Sequence, residues 1–241
     1  MKIFALVNPG LEEIAVKEIQ ELINVAGLLH PHVIEIDATA SQILVLIYHS
    51  QSIRRLVASL GKYEDITTVS LPKYSLGDFF TKDLSTKTEV EGVKGQENRI
   101  AISKDIGSKI FTEVEKSCGF TPIVELKKPD MESIVHFNGE HYFIGIDLCG
   151  ELNGREYRVF THSASFKGDG AYFFIRESGL LPGEKLLVGF AKDGTLAVEA
   201  ALFANRKLVQ PQRTKFPFMK YPCFDKVVKE DQKQKETIVE C

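Results

Sequence analysis

The first sixty residues constrain the fold most, because the hydrophobic period changes repeatedly along them. Residues 1–7 read as a strand, Asn8-Pro9-Gly10 as a turn, and residues 11–26 as an amphipathic helix with Leu11, Ile14, Ala15, Ile19, Leu22 and Ile23 three and four apart. Val33–Asp37 and Ile43–His49 read as two further strands. Ser52–Leu60 then reads as a helix turning Ile53, Leu56, Val57 and Leu60 inward. Strand, helix, strand, strand, helix begins a ferredoxin-like plait, with helices on one face of an antiparallel sheet. This sets a first domain at residues 1–70.

A second domain, residues 71–155, is expected to hold helices at Leu76–Leu84 and Ser103–Cys118 and strands at Glu89–Val93 and Thr121–Leu126. Two more strands, Ser133–Phe137 and His141–Asp147, flank Asn138-Gly139, a hairpin signal because both residues tolerate positive φ. Residues 156–241 form the third segment, with a helix at Gly168–Ser178. There Leu186–Val188 reads as a short strand, Gly189–Gly194 as a glycine loop, and Leu196–Ala204 as a helix with Leu196, Ala200 and Phe203 on one face. Strand, glycine loop and helix amino terminus make a cradle for an anion or nucleotide, since glycine admits close backbone approach and free amides point outward. The loop nearly fits a phosphate-binding loop. However, Thr195 stands where the lysine should be, which argues against a nucleoside triphosphatase.

Charge is informative through its distribution. The net charge is −3, which argues against a protein coated in basic residues for nucleic acid. Between Phe203 and Lys229, however, seven basic residues face one acid, Asp225. Arg206, Lys207, Arg213 and Lys215 of this stretch are candidate phosphate contacts, against the alternative of a solvated basic surface. Lys127 and Lys128 in a turn, and Arg155 and Arg158 flanking Tyr157, are further candidates, with structural pairing the alternative for the arginines. Phe216, Phe218 and Tyr221 are expected in the core rather than stacked on bases.

No apolar run reaches the eighteen or so residues of a membrane span, and the first ten residues lack the form of a signal peptide, so a cytoplasmic location without membrane partners is expected. Cys118, Cys149, Cys223 and Cys241 are too scattered for a disulfide framework or zinc site. His30 and His32 flank Pro31 with no third ligand near in sequence, so no metal site is expected. Spacing gives no nucleophile, base and acid constellation, and no catalytic residue is assigned.

Several motifs together resemble the THUMP-containing RNA methyltransferases. They are Asn8-Pro9-Gly10-Leu11-Glu12-Glu13, Glu125-Leu126-Lys127-Lys128-Pro129-Asp130, Gly145-Ile146-Asp147-Leu148-Cys149-Gly150 and Gly154-Arg155-Glu156-Tyr157-Arg158. His162-Ser163-Ala164-Ser165-Phe166-Lys167 and Leu181-Pro182-Gly183-Glu184 resemble the entry to that family's methyltransferase domain. The resemblance implies an α+β protein with an N-terminal ferredoxin-like domain, a THUMP domain and a partial Rossmann-like α/β domain. It implies binding of structured RNA, typically tRNA through its 3′ end, across residues 1 to about 155. The closest subgroup methylates guanine N2 with S-adenosylmethionine, which implies cofactor contacts at His162, Gly189, Phe190, Asp193, Gly194 and Thr195.

The chain departs from that pattern in two places. Where the family has Asp-Pro-Phe-Cys-Gly-Ser-Gly-Thr, this chain has Val188-Gly189-Phe190-Ala191-Lys192-Asp193-Gly194-Thr195. Val188 removes a polar group from the pocket, Lys192 is expected to crowd the cofactor path, and Asp193 brings negative charge near the methionine carboxylate. The family's Asn/Asp-Pro-Pro-Tyr/Phe motif is also missing, for no Pro-Pro pair occurs in the sequence. Cys241 falls at about the second strand of the methyltransferase sheet. Two readings follow: the RNA-binding part of a methyltransferase completed by a second chain, or an RNA-binding protein that no longer catalyses. In either, cofactor affinity of this chain alone is expected to be weak or absent.

Overall fold

The computed structural model describes residues 1–72, 76–160, 163–189, 191–211, 213 and 215–229. They form a mixed α/β fold with eight strands and five α-helices. These are β1 (Lys2–Val7), α1 (Glu12–Ile23), β2 (Leu28–His30), β3 (Val33–Asp37), α2 (Ala40–His49), β4 (Ile53–Tyr63) and β5 (Ser85–Glu91). There follow α3 (Gln96–Cys118), β6 (Ile123–Val124), β7 (Met131–Phe137), β8 (Tyr142–Asp147), α4 (Gly168–Glu177) and α5 (Thr195–Asn205). Among the described residues no helix is long and apolar enough to cross a membrane.

The chain divides into two compact units, each discontinuous in sequence. The first unit comprises residues 2–56 and 149–214; the second comprises residues 57–148 and those from Lys215 on. Strand β4 leaves one and enters the other.

In the first unit the strand order is β2-β3-β1-β4, with β1 and β3 antiparallel and Phe4 opposite Glu35. Ile3 to Val7 of β1 are all buried. Helix α1 buries Ile14, Ala15, Ile19 and Ile23, and α2 buries Ile43, Leu44, Leu46 and Ile47. The turn from α2 into β4 is fastened by Glu18, whose carboxylate accepts from Ser50 Oγ at 2.7 Å, Gln51 N at 2.8 Å, Ser52 N at 3.1 Å and Ser52 Oγ. A buried carboxylate with four donors is stable where an unpartnered one would not be.

Two element types differ from expectation. Ile43–His49 is helical, not a strand, because Thr39 and Gln42 form a capping box that starts α2 at Ala40. Ser52–Leu60 is not a helix but most of β4, where Ile53, Arg55, Leu56, Val57, Ala58 and Leu60 are all buried. A run covered on both faces has no amphipathic signature, so helical and strand spacing fit it equally.

In the second unit the order is β4-β8-β7-β5-β6. β4, β8 and β7 pair antiparallel, β7 and β5 parallel, and β6 touches β5 only at Ser85 and Thr86. The Asn138-Gly139 signal gives the β7–β8 turn: Asn138 Oδ1 accepts from Glu140 N at 2.9 Å and His141 N at 2.8 Å, and Gly139 has φ +103°. Gly145 lets β8 approach β4, for a Cβ there would lie 2.1 Å from the Ala58 carbonyl oxygen. Leu76–Leu84 is not a helix; only a 3₁₀ turn at Leu76–Asp78 forms. Residues from Lys215 on rejoin this unit because Phe216, Phe218, Tyr221 and Phe224 are buried, and the Tyr221 hydroxyl donates to Asp147 O at 2.7 Å. The expectation that Phe216, Phe218 and Tyr221 pack in the core is met.

Candidate functional site

The candidate loop joins Leu186–Val188 to α5 in the first unit. Helix α5 forms where expected, starting at Thr195 behind Gly194, which has φ +79°. Leu186–Val188 is not a strand, and Leu187 is 92% exposed. No strand occurs among the described residues after β8. Phe190 and His162 lie outside the described residues.

The loop's polar groups are largely committed to one another. Gly194 N donates to Ala191 O at 2.6 Å, and Thr195 N to Asp193 Oδ1 at 3.1 Å. The Thr195 hydroxyl donates to the same oxygen at 2.8 Å, and Arg158 Nη2 to Asp193 Oδ2 at 3.3 Å. Burial pushes the Asp193 carboxyl up, but these donors outweigh it and hold the group well below the usual carboxylate range. Lys192 lies in the left-handed region at φ +49°, and its ammonium donates to Ala164 O and lies 5.8 Å from the Phe166 ring centroid. The amides of Gly194 and Thr195, which an anion would need, are taken by Ala191 and Asp193. With these amides engaged, the described residues of the loop do not fit the nucleotide-type cofactor that the resemblance implies.

Behind the loop lies a buried polar network. Arg155 Nε donates to Glu199 Oε1 at 2.7 Å, its Nη1 to Leu152 O at 2.8 Å and its Nη2 to Gln51 O at 2.6 Å. Gln51 Nε2 donates to Glu199 Oε2 at 2.6 Å, and the Tyr157 hydroxyl also donates to Glu199. Burial, then the Glu199 charge, raises the Tyr157 hydroxyl above its ordinary range, so it stays a donor. Both Arg155 and Glu199 side chains are fully buried. Gly168 at the start of α4 makes room, since a Cβ there would stand 2.4 Å from Arg155 Nε and 2.6 Å from Glu199 Oε1.

Arg155, a candidate phosphate contact by sequence, has its guanidinium enclosed in an ion pair and carbonyl contacts. Arg158 is engaged by Asp193. Arg213 donates to Cys149 O at 2.6 Å and Glu151 O at 2.9 Å, which ties it to the backbone. Lys127, Lys128, Arg206, Lys207 and Lys215 are exposed. They are not gathered in one unit: Lys127, Lys128 and Lys215 belong to the second, Arg206 and Lys207 to the first. His32 is engaged with Glu12, with Nδ1 2.9 Å from Oε1, and His30 lies 3.6 Å from Glu35. Among the described residues, no group of three or more His, Cys, Asp or Glu is placed to hold a metal.

Sequence reasoning missed Glu199 and Gln51. The signal for Glu199 was present: it falls on the same helical face as Leu196, Ala200 and Phe203, and a carboxylate on an apolar face needs a partner.

Residues 155–240 match the UPF0020 family model, described as RMKL-like, methyltransferase domain. Over 106 residues the chain is 30% identical to the ribosomal RNA large subunit methyltransferase K/L of Photobacterium profundum, a stretch that is 44% of this chain and 15% of that protein. The fold is similar to the crystal structure of a predicted N6-adenine-specific DNA methylase from Listeria monocytogenes str. 4b F2365. There the TM-score is 0.78 and the identity 18%, covering 97% of this chain and 63% of the other. It is similar also to SMU.472 complexed with SAH, with TM-score 0.72, 17% identity, and coverage of 92% and 60%. The chain thus spans less than two thirds of each of these three proteins, and at 17–18% identity the structural likeness is one of fold.

Proposed function

We propose that this chain acts as the RNA-binding part of an S-adenosylmethionine-dependent RNA methyltransferase of the RMKL-like type, and that the stretch alone does not transfer methyl groups. The observation that carries the reading is the match of residues 155–240 to a methyltransferase-domain family model, within a chain whose fold follows methyltransferase structures over nearly its full length. The bound SAH of SMU.472 supports S-adenosylmethionine as the cofactor class. Finer assignments belong to the same proposal. The element order β1-α1-β2-β3-α2-β4, with strand order β2-β3-β1-β4, supports a ferredoxin-like plait in residues 1–70. Residues 71–155 act as a THUMP domain, and residues 156–241 as the methyltransferase-type segment. The target is structured RNA in the cytoplasm, tRNA engaged through its 3′ end, with guanine N2 as the modified atom and a second chain supplying the catalytic motif.

Lys127 and Lys128, exposed in the turn after β6, are the contacts we assign first, with Arg206, Lys207 and Lys215 as further phosphate contacts. Filter binding should show salt-dependent association with tRNA, lost on removing the 3′ terminal nucleotides. Lys127→Ala with Lys128→Ala should lower affinity and reduce the salt slope by about one per lysine. Equal affinity for full-length and trimmed tRNA, or transfer of a labelled methyl group by this chain alone, would sink the reading.

A second reading, an RNA-binding protein that no longer uses the cofactor, is favoured by the loop itself, where Asp193 and the Gly194 and Thr195 amides are engaged internally. Calorimetry with SAH separates the two. Tighter binding by Lys192→Gly with Asp193→Ser supports a latent cofactor pocket; no heat from either protein supports loss of the pocket.

A further inference from the structure

Two phenylalanines of the first unit are exposed side by side on a surface with no assigned role. Phe166 is 45% and Phe174 48% exposed, their ring centroids are 4.9 Å apart at 52°, and Phe173 meets Phe174 edge to face at 5.5 Å. Phe173 and Phe174 also line a concavity of about 340 Å³ with Asn8, Gly10, Lys167 and Asp169. That is the small end of the range for small-molecule sites, room for a planar ring and too little for a duplex.

Two lysines border the aromatic pair. Lys167 is exposed, and the Lys192 ammonium sits 5.8 Å from the Phe166 centroid. Asp169 and Asp193 are already engaged: Asp169 is buried and accepts from Asn8 Nδ2 and Gly170 N, and Asp193 accepts from Thr195 and Arg158. Exposed aromatic faces bordered by lysines are what single-stranded nucleic acid requires, since bases stack on rings and the phosphates between them seek cations.

We infer that Phe166 and Phe174 form a stacking platform for one unpaired nucleobase of single-stranded RNA, with its flanking phosphates toward Lys167 and Lys192. Asn8, whose amide hydrogen is given to Asp169, retains its side-chain oxygen as an acceptor for a base amino group. The inference rests on the RNA-binding reading above and assigns that activity a surface separate from Lys127 and Lys128.

The test uses the full chain and a six-nucleotide single-stranded RNA carrying 2-aminopurine, whose fluorescence falls on stacking. The wild type should quench it, and Phe166→Ala with Phe174→Ala should lose quenching and weaken binding about tenfold or more. Phe166→Tyr with Phe174→Tyr should restore both. Lys167→Glu, an exposed change, serves if the alanine pair fails to fold, and should weaken binding several-fold. Unchanged affinity and quenching in these variants would overturn the platform while leaving RNA binding elsewhere intact. Absence of any RNA binding by the wild type, tRNA included, would overturn the functional reading and the platform together.

Discussion

Helix α5 and the run Leu186–Val188 stand within ten residues of each other, yet one forms as its apolar spacing predicts and the other does not. Helix α5 closes its own backbone hydrogen bonds and buries Thr195, Glu199 and Ala200. Leu186 and Leu187 are 44% and 92% exposed and have no strand beside them among the described residues. A helix is satisfied locally, whereas a strand exists only through its neighbours. Among the described residues, those around α5 are therefore held by side-chain anchors, above all Arg155–Glu199.

The sharpest way to break that contrast is Glu199→Ala. It leaves the Arg155 guanidinium buried without its carboxylate and should cost about 3–5 kcal/mol, read by denaturant unfolding. A loss under about 1 kcal/mol would mean that α5 is anchored by something else.

A second anchor of late chain, Lys220–Asp130 at 2.5 Å in the second unit, is partly open to solvent and should matter less. Hydrogen bonds from the Lys220 ammonium, then from Ser85, bring the Asp130 carboxyl from 3.8 down to about 2. A carboxyl lowered on folding contributes stability fully above its unfolded value, and that contribution is lost as the pH falls from about 4 to about 2. Asp130→Asn should flatten thermal stability against pH in that window; an unchanged profile would show that the pair contributes nothing there.

The smallest effect is expected at Leu187. Leu187→Ala should change stability by no more than about 0.5 kcal/mol, as for an ordinary surface position. A loss of about 2 kcal/mol or more would show that the run is packed, and would remove the contrast with α5.

Legibility in the sequence followed the locality of the signal. Helices α1, α3, α4 and α5 and the β7–β8 hairpin could be read because spacing and turn chemistry are written within each segment. Strand β4 reads as a helix because an apolar run buried on both sides looks alike at either period, whereas the type of α2 is decided by the Thr39–Gln42 capping box ahead of its apolar run. At the candidate site, Gly194, Thr195 and Asp193 were located, but that Asp193 is spent on Thr195 and Arg158 depends on folding. Arg155 was noticed for its charge. Its partners, Gln51 and Glu199, lie 104 and 44 residues away, beyond the reach of any local pattern.

Strand β6 has a colloidal consequence. A sheet that ends in a long apolar strand offers its open edge to any passing chain, and fibrillar assembly begins on such edges. Here the outermost strand is two residues long, Ile123–Val124, each about half exposed, and it is followed at once by Glu125, Lys127, Lys128 and Pro129. The apolar pair is too short to template a neighbour, and the charges and proline behind it keep a longer ladder from growing. Lys127 and Lys128 thus stand where exposed charge disfavours the addition of a further strand.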